Sequence, residues 1–154
     1  MKVISGGQTG VDRAALDAAQ ELGLDCGGWC PRGRRAEDGR IPDRYPLRET
    51  ASSDYPSRTA ANVREADATL VLVQRGGRSR GTALTRRVAA EYEKPLLEVD
   101  LSAAPRPETV QEWLERLGVR TLNVAGPRES ETADIYDRAR EFLLQVLRSP
   151  TGLV

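Results

Sequence analysis

Residues 69–73, "TLVLV", form the segment that most narrows the folds open to this chain. The run is too continuously apolar for a strand with one face in solvent. Strands buried on both faces are typical of the centre of a parallel sheet covered by helices. We therefore expect an α/β protein with a mostly parallel central sheet.

Predicted strands and helices alternate along the rest of the chain. Apolar runs predict strands at 3–4, 96–99 and 120–124, and weaker patterns predict extended segments at 25–28 and 45–49. Helical spacing or helix-start residues predict helices at 11–22, at 57–66 with Ser57 as cap, through Leu84, Val88 and Tyr92, at 107–117, and from 135 to about 147. This alternation predicts a Rossmann-like three-layer sandwich. Because no linker or repeat divides residues 1–154, we expect a single ligand-binding domain.

The charges of the chain cancel: Lys and Arg number 23, Asp and Glu number 23, and the isoelectric point is about 6.4. Any attraction for an anion must therefore be local, and no global field favours nucleic acid. No signal peptide or apolar run of membrane-spanning length is present in the sequence. We expect a cytoplasmic protein without nucleic-acid or membrane partners.

The chain has no histidine. This removes the most frequent general base and metal ligand. The two cysteines, Cys26 and Cys30, cannot complete a structural zinc site, and their spacing differs from the redox C-x-x-C motif. We expect reduced thiols, with a disulfide or persulfide site as the lesser alternative, and no metal site.

Three glycine-bearing loops follow predicted strands, at 5–10, 74–82 and 123–130. Ligands of open α/β sheets bind at the carboxyl ends of the strands, where these loops meet. One such loop is explained by turn chemistry alone, but three favour a binding crevice.

The first loop, "SGGQTG", opens a helix, and its amides predict contact with an oxyanion. It lacks the full dinucleotide-binding motif and the Gly-Lys-Ser/Thr of a P-loop, which disfavours NAD and ATP bound in those ways. Replacing Gly7 with Asp is expected to abolish binding and leave the fold intact. The candidate binding residues here are Gly6, Gly7, Gln8, Thr9, Gly10 and Arg13.

Two charged residues after this loop have two interpretations each. Asp12 either complements the positive end of the helix dipole, the simpler interpretation, or accepts a hydrogen bond from a ligand hydroxyl or amine. Arg13 is either a solvated helix residue or an anion clamp.

The second loop combines glycines, hydroxyls and arginines at a helix start, which together predict an anion site. Its candidates are Gly76, Gly77, Ser79, Arg80, Gly81 and Thr82, with Arg78 as a weaker one. A flexible basic turn is the alternative. In the third loop Asn123, Gly126 and Arg128 are the candidates, unless its Gly-Pro simply precedes a helix.

The motifs "SGGQTGVDRAALDAA", "PRGRRAEDGRIPDRYPL", "SRTAANVREADATLVLV", "RGTALT" and "NVAGPRESE" occur in the order of a known family. Over residues 2–147 the chain resembles the putative molybdenum carrier family, the circularly permuted, YpsA-like branch of the superfamily that includes the lonely-guy proteins. The resemblance implies a Rossmann-like fold, a homo-oligomer (dimer or tetramer) and a pocket for a phosphorylated, nucleotide-like ligand. For carrier members it implies molybdenum cofactor, a pterin with a phosphate.

The chain departs from the lonely-guy phosphoribohydrolases at one position. Their "GG...GT" pattern is followed three residues later by glutamate, where this chain has Thr85. A threonine cannot act as a carboxylate acid or base. We therefore expect a non-catalytic carrier, with a nucleotide- or nucleotide-sugar-processing hydrolase as the alternative. Residues 32–44 are expected to close over the pocket or to pack on a neighbouring subunit, and 37–39 alternatively to form a surface turn.

Overall fold

The structure, a computed structural model, describes residues 1–76 and 79–148. Within them the strands are β1 (Lys2–Ile4), β2 (Asp25–Gly27), β3 (Trp29–Cys30), β4 (Arg35–Ala36), β5 (Gly39–Arg40), β6 (Arg48–Glu49), β7 (Ala68–Val73), β8 (Leu96–Asp100) and β9 (Thr121–Ala125). The α-helices are α1 (Val11–Glu21), α2 (Tyr55–Glu65), α3 (Arg80–Glu91), α4 (Pro107–Leu117) and α5 (Ile135–Leu147), with a 3-10 turn at Leu101–Ala103.

The central sheet is parallel and has the strand order β2-β1-β9-β7-β8. The last strand, β9, thus lies in the middle. Helices α1, α4 and α5 share the main core with the sheet, and α2 packs against α3 around a separate apolar cluster. Strand β7 is buried as predicted. The predicted Rossmann-like α/β sandwich is confirmed.

Residues 45–49 differ from their prediction, because only Arg48–Glu49 forms a strand, paired with β3. Tyr45 and Leu47 are instead buried with Ile41 in a satellite cluster. The apolar residues of this segment are buried by packing of a loop rather than by strand pairing. Pro46 also lacks the backbone N–H that a paired strand would donate.

Helix boundaries also shift. Helix α2 begins at Tyr55, and its cap is Asp54, whose carboxylate accepts from the Ser57 amide at 2.7 Å. Ser57 is therefore the donor to the cap and not the cap itself. Tyr92, predicted on the apolar face of α3, follows the end of that helix and is exposed.

Residues 32–44 form a small β4–β5 hairpin and fold back on the first glycine loop. The buried guanidinium of Arg34 holds this segment together by donating to backbone carbonyls, those of Ile41, Pro42, Tyr45 and Leu47. The segment thus closes over a loop of its own chain. None of the helices in the described residues is long and apolar enough to cross a membrane.

Candidate functional site

Described residues of the three glycine loops line two adjoining cavities at the carboxyl edge of the sheet. The first, which we call the inner cleft, has a volume of about 60 Å³, and the second, the outer recess, about 550 Å³. The inner cleft is lined by Gly6, Gln8, Asp12, Arg58, Thr59, Asn62, Gly81, Thr85, Asn123, Val124, Ala125, Gly126, Arg128 and Glu131. The outer recess is lined by Gly76, Arg80, Arg128, Ser130 and Glu131. Arg128 and Glu131 belong to both.

The predicted binding residues divide into three groups. Lining residues of the inner cleft include Gly6, Gln8, Gly81, Asn123, Gly126 and Arg128, and those of the outer recess include Gly76, Arg80 and Arg128. Six described candidates line neither cavity: Gly7, Thr9, Gly10, Arg13, Ser79 and Thr82. Gly77 and Arg78 lie outside the described residues. A role in binding stays a prediction for all of them.

Gly7 and Gly10 are required by packing. Both have φ near +78°, and a Cβ on Gly7 would lie 2.6 Å from Leu47 Cδ1 and 2.9 Å from Ile41 Cδ1. A Cβ on Gly10 would lie 2.4 Å from the Pro127 carbonyl oxygen. Gly7→Asp would strain the backbone at this positive φ and press on the side chains of Leu47 and Ile41, so the structure argues against the expectation that it leaves the fold intact.

The polar candidates outside the cavities brace the loops. The Thr9 hydroxyl donates to Glu37, and the hydroxyls of Ser79 and Thr82 hydrogen-bond to each other. Arg13 donates to the Gly7 carbonyl at 3.0 Å and forms a two-pronged ion pair with Asp38 at 2.6 and 2.9 Å.

Residues 37–39 are exposed and turn at Glu37 and Asp38, as the surface-turn alternative predicts, and the carboxylates of this turn are the partners of Thr9 and Arg13. The hydrogen bond from Arg13 lowers the pKa of Asp38. Burial acts to raise the pKa of Glu37, but hydrogen bonds from Ser130 and Thr9 outweigh it and lower the pKa. Ionised carboxylates thus tie the hairpin segment to the first and third loops.

Asp12 lies in the wall of the inner cleft, which favours the ligand-facing interpretation over the helix-dipole one. Its Oδ2 accepts from the Gln8 amide nitrogen at 3.2 Å and from Arg58 Nη1 at 3.4 Å. Burial raises the pKa of Asp12, although the Arg58 charge acts to lower it. Arg58 Nη1 also donates to the Gly6 carbonyl at 3.1 Å.

Glu131 occupies the helix start that the sequence predicts for a ligand anion. Its carboxylate accepts from the Arg80 amide at 3.0 Å and from the Arg128 amide at 3.3 Å. The Arg128 side-chain Nε lies 3.7 Å from the same carboxylate. Part of the predicted anion site therefore already holds an anion supplied by the chain.

Sequence reasoning missed Arg58, Asn62 and Glu131. Asn62 bonds to the backbone N and O of Trp29 at 2.8 and 2.9 Å, and the signal for it was a polar residue next to the apolar positions of α2. Arg58 and Glu131 lie inside motifs that carry the family resemblance, but their positions in the sequence do not indicate which residues they contact.

The position that separates this chain from the lonely-guy enzymes also lies at the cleft. Thr85 lines the inner cleft and donates its hydroxyl to the Gly81 carbonyl at 2.9 Å, one helical turn earlier. No carboxylate is supplied from this point of α3.

Across residues 1–76 and 79–148, no group of three or more His, Cys, Asp or Glu side chains is arranged to hold a metal. Cys26 and Cys30 are free thiols, and burial raises the pKa of both. Neutral thiols are poor nucleophiles and poor metal ligands.

Comparisons with known proteins give a family and a solved structure. The model of the circularly permutated YpsA SLOG family matches residues 3–147. The crystal structure of a "Putative molybdenum carrier protein" from Syntrophus aciditrophicus SB is 42% identical in sequence, with a TM-score of 0.88, and the match covers 95% of this chain and 94% of that chain. No curated protein matches the chain.

Proposed function

The chain belongs to the circularly permutated YpsA SLOG family, and we propose that it is a binding protein, a carrier for molybdenum cofactor or a related phosphorylated, nucleotide-like ligand. The name of the 42% identical protein from Syntrophus aciditrophicus supports a carrier role. The site itself supports the proposal in two ways: arginine side chains line it, and it lies at the carboxyl edge of the sheet.

The convergence of arginines on two joined cavities is the observation that carries this proposal. Arg58, Arg80 and Arg128 come from three segments of a chain whose formal net charge is zero. Arg58 is paired with Asp12. Arg128 lies 3.7 Å from the Glu131 carboxylate and 3.8 Å from that of Glu37. A phosphate would therefore compete with them for this guanidinium and would meet Arg80 at the outer recess. Arg128 is also held over the Tyr55 ring, 5.3 Å from its centroid.

The residues present fit molybdenum cofactor as cargo. Since the cofactor brings its own sulfur ligands, a carrier needs hydrogen-bond donors and cations rather than cysteines. Arginines at the outer recess suit its phosphate. Gln8 Nε2, a buried donor to which the described residues offer no acceptor, suits a neutral part of the ligand.

Mass spectrometry of small molecules released from the purified protein tests the proposal. We expect a phosphorylated ligand to be released, and calorimetry to detect binding of inorganic phosphate or a nucleoside monophosphate. A chain that releases no such ligand and binds none of these probes would contradict the proposal.

One observation favours the alternative, a hydrolase acting on nucleotides or nucleotide-sugars. Asp12 lines the cleft with a raised pKa, as expected of a general acid. Thr85 counts against this function because the related enzymes have glutamate there. Incubation with nucleoside monophosphates decides between the two, and we expect no release of free base.

Assembly, location and domain extent stay predictions. We propose a cytoplasmic homo-oligomer, a dimer or tetramer, in which residues 1–154 form one domain. Light scattering coupled to size-exclusion chromatography measures the subunit number, and a monomeric mass would contradict the oligomer.

A further inference from the structure

The side-chain amide of Gln8 contains a buried donor for which residues 1–76 and 79–148 supply no acceptor. Its Oε1 accepts from the Thr9 amide at 3.1 Å and from the Glu37 amide at 2.8 Å, so the side chain cannot be turned round. Gln8 is 5% exposed and lines the inner cleft, and Nε2 has no hydrogen-bond partner among the described residues. Leaving a buried donor unpaired is unfavourable, which indicates an acceptor on a ligand.

Asp12, beside Gln8 in the cleft wall, has the opposite polarity. Its Oδ2 is held by the Gln8 backbone amide and by Arg58, whereas none of the described residues donates a hydrogen bond to Oδ1. The wall of the inner cleft therefore contains one donor and one acceptor that the described residues leave without a hydrogen bond. Each is fixed by hydrogen bonds to the other polar atom of its own side chain.

This arrangement disfavours an anion in the inner cleft. The Asp12 carboxylate would repel it, and Arg58 is already shared between Asp12 and the Gly6 carbonyl. A volume of about 60 Å³ suits the edge of a ring rather than a complete ring system. A neutral, hydrogen-bonding edge of the ligand fits this position, with its phosphate toward Arg80 and Arg128.

We propose that Gln8 and Asp12 bind the amino-oxo edge of a pyrimidine ring, the edge that guanine and pterins share. Gln8 Nε2 donates to the ring oxo group, and Asp12 Oδ1 accepts from the neighbouring ring N–H and amino group. Adenine has an amino donor and a ring-nitrogen acceptor at the matching positions, so it would place donor against donor. This inference rests on the proposed binding of a phosphorylated ligand at the outer recess.

Calorimetry on the wild-type chain with GMP, AMP and inorganic phosphate is the first test. We expect GMP to bind about tenfold or more tightly than AMP, because the wrong edge leaves both protein groups unpaired. Phosphate binding without a preference for GMP would overturn this inference alone. If none of the three binds, the proposed function fails and the inference fails with it.

Two substitutions reverse the polarity of the pair and keep its internal bonds. In Asp12→Asn the amide oxygen still accepts from Gln8 N and Arg58, and in Gln8→Glu the carboxylate still accepts from Thr9 and Glu37. Each is expected to weaken GMP binding about tenfold and to leave phosphate binding unchanged. Gln20→Glu, an exposed substitution on α1, is the matched control. Unchanged GMP affinity in both folded variants would overturn the inference, and if either fails to fold, the wild-type comparison of GMP with AMP decides.

Guanosine and neopterin distinguish the two sources of the edge, since both carry it without a phosphate. Tighter binding of neopterin indicates a pterin ligand, and tighter binding of guanosine indicates a guanine nucleotide. Equal binding of adenosine would contradict the proposed edge.

Discussion

In the inner cleft the side-chain donor of Gln8 finds no acceptor in the described part of the chain, whereas in the outer recess the amides of Arg80 and Arg128 already hold the Glu131 carboxylate. A ligand group entering the inner cleft gains a hydrogen bond without displacing a protein group. An anion that binds at the start of α3 has to displace the Glu131 carboxylate. Its affinity therefore reflects the difference between its own interaction energy with these amides and that of Glu131. A neutral part of a ligand in the inner cleft therefore meets a hydrogen-bond donor that the described residues leave unpaired, whereas a charged part in the outer recess competes with a carboxylate of the protein.

The largest effect is expected from removing the cation that supports the inner cleft. Arg58→Met leaves the buried Asp12 carboxylate without its partner, and both side chains are about one-tenth exposed. We expect the free energy of unfolding at pH 7 to fall by about 3–5 kcal/mol, measured by urea denaturation. The exposed pair Arg48–Glu65 supplies a control, since Arg48→Met is expected to cost less than about 1 kcal/mol. If Arg58→Met and Arg48→Met lower the free energy of unfolding by equal amounts, the Arg58–Asp12 ion pair is not buried in solution.

The next largest effect separates the two arginines of the outer recess. Arg128, held over Tyr55 and shared by both cavities, is expected to contribute about 1.5–3 kcal/mol to binding of inorganic phosphate, so that Arg128→Ala weakens it about tenfold or more. The exposed Arg80 is expected to contribute less, on the order of 0–1 kcal/mol. Calorimetry at low and moderate salt measures both, with Arg116→Ala on α4 as control. Identical affinities in all variants would mean that the recess does not bind anions through these side chains.

A smaller effect of opposite sign tests whether Glu131 competes with the ligand. Glu131→Gln removes the charge at the start of α3 and is expected to raise phosphate affinity about two- to fivefold. Glu129→Gln is the matched control, because Glu129 accepts instead from the amides of Asp134 and Tyr136 at α5. Weaker phosphate binding after Glu131→Gln would show that this carboxylate supports the site.

An effect of similar size, on stability rather than on binding, concerns Glu37, which joins the two regions by accepting from Thr9 and Ser130. Because its folded-state pKa is lowered, the ionised form stabilises the fold above its usual pKa of 4.5, and this contribution is lost as pH falls through the folded pKa. Glu37→Gln is expected to cost about 1 kcal/mol at pH 7, and this cost is expected to fall progressively as the pH drops below 4.5. Urea denaturation at a series of pH values from 7 downward measures this, and a cost independent of pH would exclude the charge as its cause.

Some of the site was visible in the sequence because its signals are local. The glycines and the strands before them placed three loops at one edge of the sheet, and Gln8 and Arg128 were among the candidates. Gly7 and Gly10 were also candidates, but a side chain at these positions is disfavoured by close packing against Leu47 and Pro127, which lie far away in the chain. A glycine required by a ligand and one required by close packing look alike in a sequence.

The sequence by itself determined the α/β class, the parallel sheet and the family, because apolar periodicity and short motifs depend on neighbouring residues. Only the tertiary structure decided which donors of the site are occupied. Glu131 reaches an amide 51 residues away, and Glu37 reaches Thr9 across 28 residues and Ser130 across 93. Such pairings depend on how the loops pack in three dimensions, and no spacing along the chain records them.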